Sequence, residues 1–179
     1  MELLKRQDCP NYSVVDYEAW QGSWELIQGI PYAMSPAPSI AHQEISSKIH
    51  ANLFNGLAKC KNCQALLPVD WKISDGTVVK PDNIVVCTEV SGQYLTQAPA
   101  IVFEVLSPST AKKDEGIKFE LYQLEGVKYY IMVNPDTSVA KVFHLTDDGR
   151  LVKKKDAKNE TMLFSIEGCE LKFDFSKIW

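Results

Sequence analysis

Ala100-Ile101-Val102-Phe103-Glu104-Val105-Leu106-Ser107-Pro108-Ser109-Thr110 is the stretch on which the reading of this chain turns. From Ala100 to Leu106 it is apolar but for one residue, the pattern of a strand covered on both faces in the centre of a sheet. The exception, Glu104, is costly there as a bare charge, so it must be protonated, paired or bound to a metal. Strand alternation puts Val102, Glu104 and Leu106 on one face. The polar partner must come from that side or from the strand end, where Ser107 turns the chain. Ser107 to Thr110 then offers a helix N-cap.

Toward the C-terminus, Asp114 and Glu115 suit a first helical turn, Ile117, Leu121 and Leu124 form an apolar stripe, and Gly126 suits the C-terminal cap. Gly116 weakens this helix by about 1 kcal/mol relative to Ala. Strands follow at Tyr129 to Val133 and Val139 to Leu145, separated by an Asn134-Pro135-Asp136 turn. After a hairpin at Asp148-Gly149 and a basic stretch at Lys153-Lys154-Lys155, the amphipathic tail from Leu163 to Trp179 is expected to pack along the sheet.

Toward the N-terminus, Ile84-Val85-Val86-Cys87 is a second short apolar run, joined to the first by a polar loop from Glu89 to Pro99. Leu66 to Ile73 reads as one strand and Ser74-Asp75-Gly76-Thr77 as a tight turn into another. Ile45, Ile49, Leu53 and Leu57 fall at four-residue spacing, which predicts a helix starting at Ile40. Before the stiff Ser35 to Ser39 loop, Trp24 to Ile27 and Ile30 to Met34 flank Gln28-Gly29 as a β-hairpin. Tyr17 to Gly22 suits a short helical turn, and residues 1–16 are expected to be a loose arm. The fold class is α/β (α+β): one domain over residues 1–179, with a central mixed sheet, two main flanking helices and extra hairpins.

The 179 residues are 45% hydrophobic and 23% charged, ordinary for a globular protein and too apolar for disorder. No apolar run approaches the ~18 residues that span a bilayer, and the N-terminus lacks the apolar core of a signal peptide. A cytoplasmic location is expected. Five cysteines, an odd number with no secretory signal, predict reduced thiols. Cys60-Lys61-Asn62-Cys63 is the one CxxC; a structural zinc site usually needs a second such pair, so two ordinary thiols near a helix end are expected. A net charge of −4 and a pI near 5.4 give no bulk attraction for polyanions, though an acidic centre can be offset locally by lysines and a metal ion.

Asp82 is the natural companion of Glu104. It follows Lys80-Pro81 at the entrance to the Ile84 run and shares a face with Ile84 and Val86. If the two runs are neighbouring strands, both carboxylates can project into one notch, and a divalent cation with oxygen ligands relieves their repulsion. Lys118, at the edge of the helical stripe, could reach the same notch and orient water or stabilise a phosphate. Each residue also has an ordinary reading: a satisfied strand Glu, a turn Asp after Pro, a solvated helix Lys. Their combination is what points to chemistry.

Several motifs taken together resemble a family. Glu25-Leu26-Ile27-x-Gly29, Met34-Ser35-Pro36-Ala37-Pro38, His42-Gln43 and Asp75-Gly76-x-x-x-x-Pro81-Asp82 are similar to a restriction-endonuclease family of hypothetical proteins abundant in cyanobacteria. So are Glu104 to Thr110, Lys118, Tyr122, Gly126-Val127 and Tyr130. The resemblance runs from about Trp24 to Trp179. It implies the restriction-endonuclease-like, PD-(D/E)xK nuclease fold and a Mg²⁺- or Mn²⁺-dependent endonuclease acting on DNA phosphodiester bonds. Asp82 and Glu104 match the acidic metal ligands. Leu106 stands where the motif lysine belongs, and Lys118 matches a lysine displaced to the next helix. Glu25 matches a further acidic position, although a hairpin Glu is ordinarily solvated, and Gln43 is placed to face the notch. Asn134 replaces the usual Asp at a turn. The alternative is a non-catalytic module of the same fold that binds nucleic acid or a protein partner. Cleaving both strands of a duplex takes two sites, which makes a homodimer expected.

Overall fold

A computed structural model describes residues 10–34 and 37–179. The Ile101–Val105 strand (β7) and the Asn83–Val86 strand (β6) are buried at every position and pair antiparallel, with Asn83 opposite Phe103 and Val85 opposite Ile101. On its other side β7 pairs parallel with Tyr129–Asn134 (β8). Val139–Leu145 (β9) and Leu151–Ala157 (β10) extend this edge, and Gln64–Leu66 (β3) closes the other, giving the mixed order β10-β9-β8-β7-β6-β3. A second sheet contains Trp24–Ile27 (β1), Ile30–Ala33 (β2), Trp71–Ser74 (β4) and Thr77–Val79 (β5), in the order β2-β1-β5-β4. Thr161–Ile166 (β11) and Cys169–Asp174 (β12) form a separate hairpin. This is the mixed α+β architecture that the apolar runs predict.

The period of two along β7 assigns its faces. Ile101, Phe103 and Val105 enter one core with Ile131 and Val133, the helix Ile40–Gly56 (α2) and the β11–β12 hairpin. The α2 stripe Ile45, Ile49, Leu53 and Leu57 is buried there as the four-residue spacing requires. The tail also lies on this side, through Phe164, Ile166, Leu171 and Phe173. Val102 and Leu106 face the other core, with Ile84, Tyr130, Ile27, Trp71 and Val79 from the second sheet and Tyr122 from the helix after β7. Among the described residues no helix is long and apolar enough to cross a membrane.

Several local expectations are corrected. Leu66 to Ile73 is two strands in two sheets, because Pro68 has no N–H to continue a ladder. The helix after β7 is broken at Gly116 (φ −110°, ψ −101°) into Ala111–Glu115 (α3) and Ile117–Leu124 (α4). Thr110 starts α3 without a side-chain cap; its Oγ1 instead accepts from Ser107 N–H at 3.3 Å. The buried face of this pair is Asp114, Lys118 and Tyr122, whereas Leu124 is 79% exposed. Ile117 and Leu121 of the expected stripe are partly buried against the core, while Glu104 of β7 and Glu25 of β1 draw Lys118 to the centre of the buried face. The arm expected over residues 1–16 falls partly on 1–9, outside the described residues. From Tyr12 the chain is held by Tyr12 N–H to Gly29 O and by a Ser13–Asp16 capping box at the helix Val14–Ala19 (α1). The four described cysteines are not reduced: Cys60 is joined to Cys169 and Cys63 to Cys87, because the fold brings distant segments together. Cys9 lies outside the described residues.

Gly56 marks where the two sides of the first core meet. A Cβ there would lie 2.8 Å from the Lys172 carbonyl oxygen and would also strike the Leu171 side chain. Backbone cannot yield cheaply, so overpacking outweighs the better helix propensity of alanine. Gly56→Ala is expected to lower stability by about 1–3 kcal/mol, read as a lower urea midpoint with an unchanged slope.

Candidate active site

Glu104 projects from β7 into the interface between the two sheets and is 3% exposed. Its Oε1 accepts two hydrogen bonds from α4, from Lys118 Nζ at 2.7 Å and from Tyr122 Oη at 2.7 Å. Lys118 and Tyr122 lie one helical turn apart, so both reach the same carboxylate. Lys118 is 2% exposed and lies 2.9 Å from Glu25 Oε1 and 3.5 Å from Asp114 Oδ1. Glu25 belongs to β1 in the other sheet and is completely buried, not solvated as its hairpin position led one to expect. Its Oε1 also accepts from Lys80 N–H at 2.9 Å, and its Oε2 pairs with Lys113 of α3.

The electrostatics of these carboxylates differ. Burial alone raises the Glu25 carboxyl, but Lys118 and Lys113 overcome it and hold it at about 2. Glu104 has only a share of Lys118. Burial, followed by the neighbouring charges of Asp114, Asp82 and Glu25, pushes it well above the usual carboxylate range. Burial also raises Asp114, partly offset by Lys118. For Lys118 burial acts downward, yet the three carboxylates around it raise the ammonium well above its ordinary value. It is therefore charged, and Glu104 is the carboxylate most short of positive charge.

Asp82 stands just before β6, with its side chain 15% exposed. Its Oδ2 accepts from the Val105 backbone N–H at 2.8 Å and lies 3.2 Å from His42 Nε2. That carboxylate contact is the main reason the imidazole is held above its usual range. His42 lies in the first turn of α2 and so meets the strand ends; its Nδ1 is buried without a partner. Gln43 is exposed, its backbone N–H donates to Ser39 O, and among the described residues its side chain makes no hydrogen bond to the cluster. The helix turns by about 100° per residue, so one of these neighbours can face the notch, and it is His42.

The geometry thus brings Asp82, Glu104, Lys118 and Glu25 together and leaves Gln43 outside. It adds His42, Lys113, Asp114 and Tyr122. Asp114, Lys118 and Tyr122 at four-residue spacing were the available signal, hidden by the more familiar apolar stripe at Ile117, Leu121 and Leu124.

Among the described residues, no group of three or more His, Cys, Asp or Glu side chains stands ready to hold a metal ion. A Mg²⁺-type site does not need one, since that ion keeps several waters and takes one or two carboxylates. Two features fit such an ion. Four carboxylates (Asp82, Glu104, Glu25, Asp114) face two ammonium groups and one imidazole. All hydrogen bonds to Asp82 and Glu104 fall on one oxygen each, so Asp82 Oδ1 and Glu104 Oε2 carry none among the described residues.

Residues 14–173 match the family model Uma2, described as "Putative restriction endonuclease". The chain belongs to the Uma2 family. It is 30% identical over 168 residues to the uncharacterized protein slr1290 of Synechocystis sp., covering 88% of this chain and 87% of that one. The fold is that of a solved structure from Anabaena variabilis, described as a "putative nuclease belonging to DUF820". That match has a TM-score of 0.72 and 15% identity, over 93% of this chain and 96% of the other. The Uma2 chain is thus nuclease-like in family and restriction-endonuclease-like in fold.

The buried Lys118 makes the cluster sensitive to deletion. Lys118→Met leaves Glu25, Glu104 and Asp114 without their shared cation, and is expected to cost about 3–5 kcal/mol. Adding Glu104→Gln to that variant should restore part of the loss, which a double-mutant cycle in urea measures.

Proposed function

We propose that this chain is a Mg²⁺- or Mn²⁺-dependent endonuclease that hydrolyses DNA phosphodiester bonds, with Asp82 and Glu104 as the metal ligands. The observation that carries this reading is the surplus of carboxylate at the end of β7, with Asp82 Oδ1 and Glu104 Oε2 free of hydrogen bonds among the described residues. When bound, the divalent ion would supply charge to a phosphate oxygen and lower the pKa of a water. The chain's own residues supply the positioning. The Val105 N–H and His42 hold Asp82 by one oxygen, while Tyr122 and Lys118 hold Glu104 by one oxygen. Glu25 and Asp114 hold the Lys118 ammonium at the carboxylates, where its charge can stabilise a developing oxyanion. In this reading residues 1–179 act as one domain, and a homodimer supplies the second site needed to cut a duplex.

One observation favours a non-catalytic nucleic-acid- or protein-binding module instead. Lys118 is 2% exposed and engaged by three carboxylates, which leaves it little freedom to meet a substrate.

Cleavage of plasmid and single-stranded DNA in Mn²⁺ separates the two readings. Asp82→Ala and Glu104→Ala should each lower the rate by about two orders of magnitude or more, while Gln43→Ala should leave it unchanged. Equal cleavage by wild type and both alanine variants would reject the assignment. DNA binding without any cleavage would select the non-catalytic module.

A further inference from the structure

No second cysteine pair accompanies the Cys60-Lys61-Asn62-Cys63 CxxC in the sequence. The fold supplies the missing partners. Cys60 follows the C-terminal end of α2 and Cys63 precedes β3. Cys87 follows β6, directly across the ladder end from Cys63, one residue beyond the Gln64–Val86 pair. Cys169 opens β12 after the Glu167-Gly168 turn. The Cα atoms of Cys60 and Cys169 are 5.7 Å apart and those of Cys63 and Cys87 are 3.9 Å apart. Cys60, Cys63 and Cys169 line one cleft together with Lys59, Lys61 and Glu167, and Glu167 also lines the neighbouring cleft that contains Cys87.

We propose that Cys60, Cys63, Cys87 and Cys169 are, in the reduced chain, the four ligands of a structural zinc ion. Four sulfurs from three segments at one corner are the number and type that a closed zinc site takes. The Cys63 N–H donates to Cys60 O at 3.1 Å, a tight turn that keeps the two residues close, Cys60 itself buried at the core edge. They do not pair with each other, as the sulfurs of a dithiol redox CxxC do, but with Cys169 at the start of β12 and Cys87 just after β6. The cleft is lined by two lysines, Lys59 and Lys61, and two carboxylates, Glu167 and Glu170, so the charge that holds the sulfurs as thiolates is that of the ion itself. A tetrahedral ion with Zn–S bonds of about 2.3 Å holds its sulfurs about 3.8 Å apart, which asks the paired sulfurs to separate by side-chain rotation.

In the disulfide-paired arrangement these sulfurs are not free ligands. A dithiol reductant gives each disulfide two electrons and two protons and becomes a cyclic disulfide. The four resulting thiols release their protons to solvent as Zn²⁺ binds. The ion would join the end of α2 and the edge of the six-stranded sheet to the β11–β12 hairpin, which has no ladder to either larger sheet. The site lies at the opposite ends of both α2 and β6 from His42 and Asp82, and α2 alone spans about 25 Å. It is therefore separate from the proposed nuclease site and does not rest on that reading.

The test is zinc content of the full chain purified with dithiothreitol and supplied with Zn²⁺, alongside the absorption spectrum after loading with Co²⁺. Zinc near one ion per chain is expected, with strong thiolate-to-cobalt charge transfer and a melting temperature that falls when a chelator is added. Cys169→Ser and Cys87→Ser should lose the zinc, while Cys9→Ser and Asp82→Ala keep it. Zinc retained in less than roughly a tenth of wild-type chains would overturn the proposal, whether the four cysteines then alkylate freely or map as two disulfides. So would full zinc retention in both serine variants. Because a serine variant can fail to fold, the wild-type Co²⁺ spectrum stands by itself: bound Co²⁺ without thiolate absorption also overturns the proposal.

Discussion

A lysine ammonium buried among three carboxylates is the interaction on which the rest of this structure depends. Lys118 draws Glu104 from β7, Glu25 from β1 and Asp114 from α3 to one point. It therefore ties the six-stranded sheet, the four-stranded sheet and the helical pair together through a single charge. Such a charge leaves water only if its geometry is complete, and the cost of removing one partner falls on those that remain. The surroundings show how it is completed. Tyr122 donates to Glu104 while its ring stacks on Trp71, with centroids 5.8 Å apart, and Tyr130 fixes the Asp114 carbonyl at 3.0 Å.

The break at Gly116 follows from the same constraint. Ile117 and Leu121 still pack partly buried on the core, but a helix rotated further to bring Leu124 inward would turn Lys118 toward solvent and leave Glu104 bare in an apolar interface. The chain instead buries Asp114, Lys118 and Tyr122 and leaves Leu124 outside. Exposing one leucine costs less than leaving a carboxylate without a partner. Leu106 occupies the strand position where the family resemblance places a lysine, and it packs into the apolar core. The lysine that reaches Glu104 comes from α4.

Asp82 is held differently, and the difference matters for chemistry. Its partners are a backbone N–H and an imidazole, both on Oδ2, and its side chain is partly open to solvent. Glu104 is closed in and short of positive charge, whereas Asp82 is anchored and reachable. In the proposed reading these two carboxylates would hold the ion, Asp82 from the side open to solvent.

Much of the architecture was legible in the residue pattern because burial imposes periodicity. The uninterrupted runs at Ile84 and Ile101 required central strands, and the four-residue spacing from Ile45 to Leu57 required the helix that packs on them. Glu104 declared itself by the cost of its charge. What local pattern could not show were partnerships between residues distant in sequence. Glu25 reads as an ordinary hairpin carboxylate until the second sheet folds over β7. His42 and Gln43 are indistinguishable as neighbours until the phase of α2 against the sheet chooses His42. The CxxC lacks partners until β6 and the C-terminal hairpin deliver Cys87 and Cys169. Sequence by itself determined which segments must be buried, because the hydrophobic effect acts on each segment's own composition. Only the tertiary structure decided which charges and sulfurs meet, because those contacts depend on the distance between chains, which no local pattern encodes.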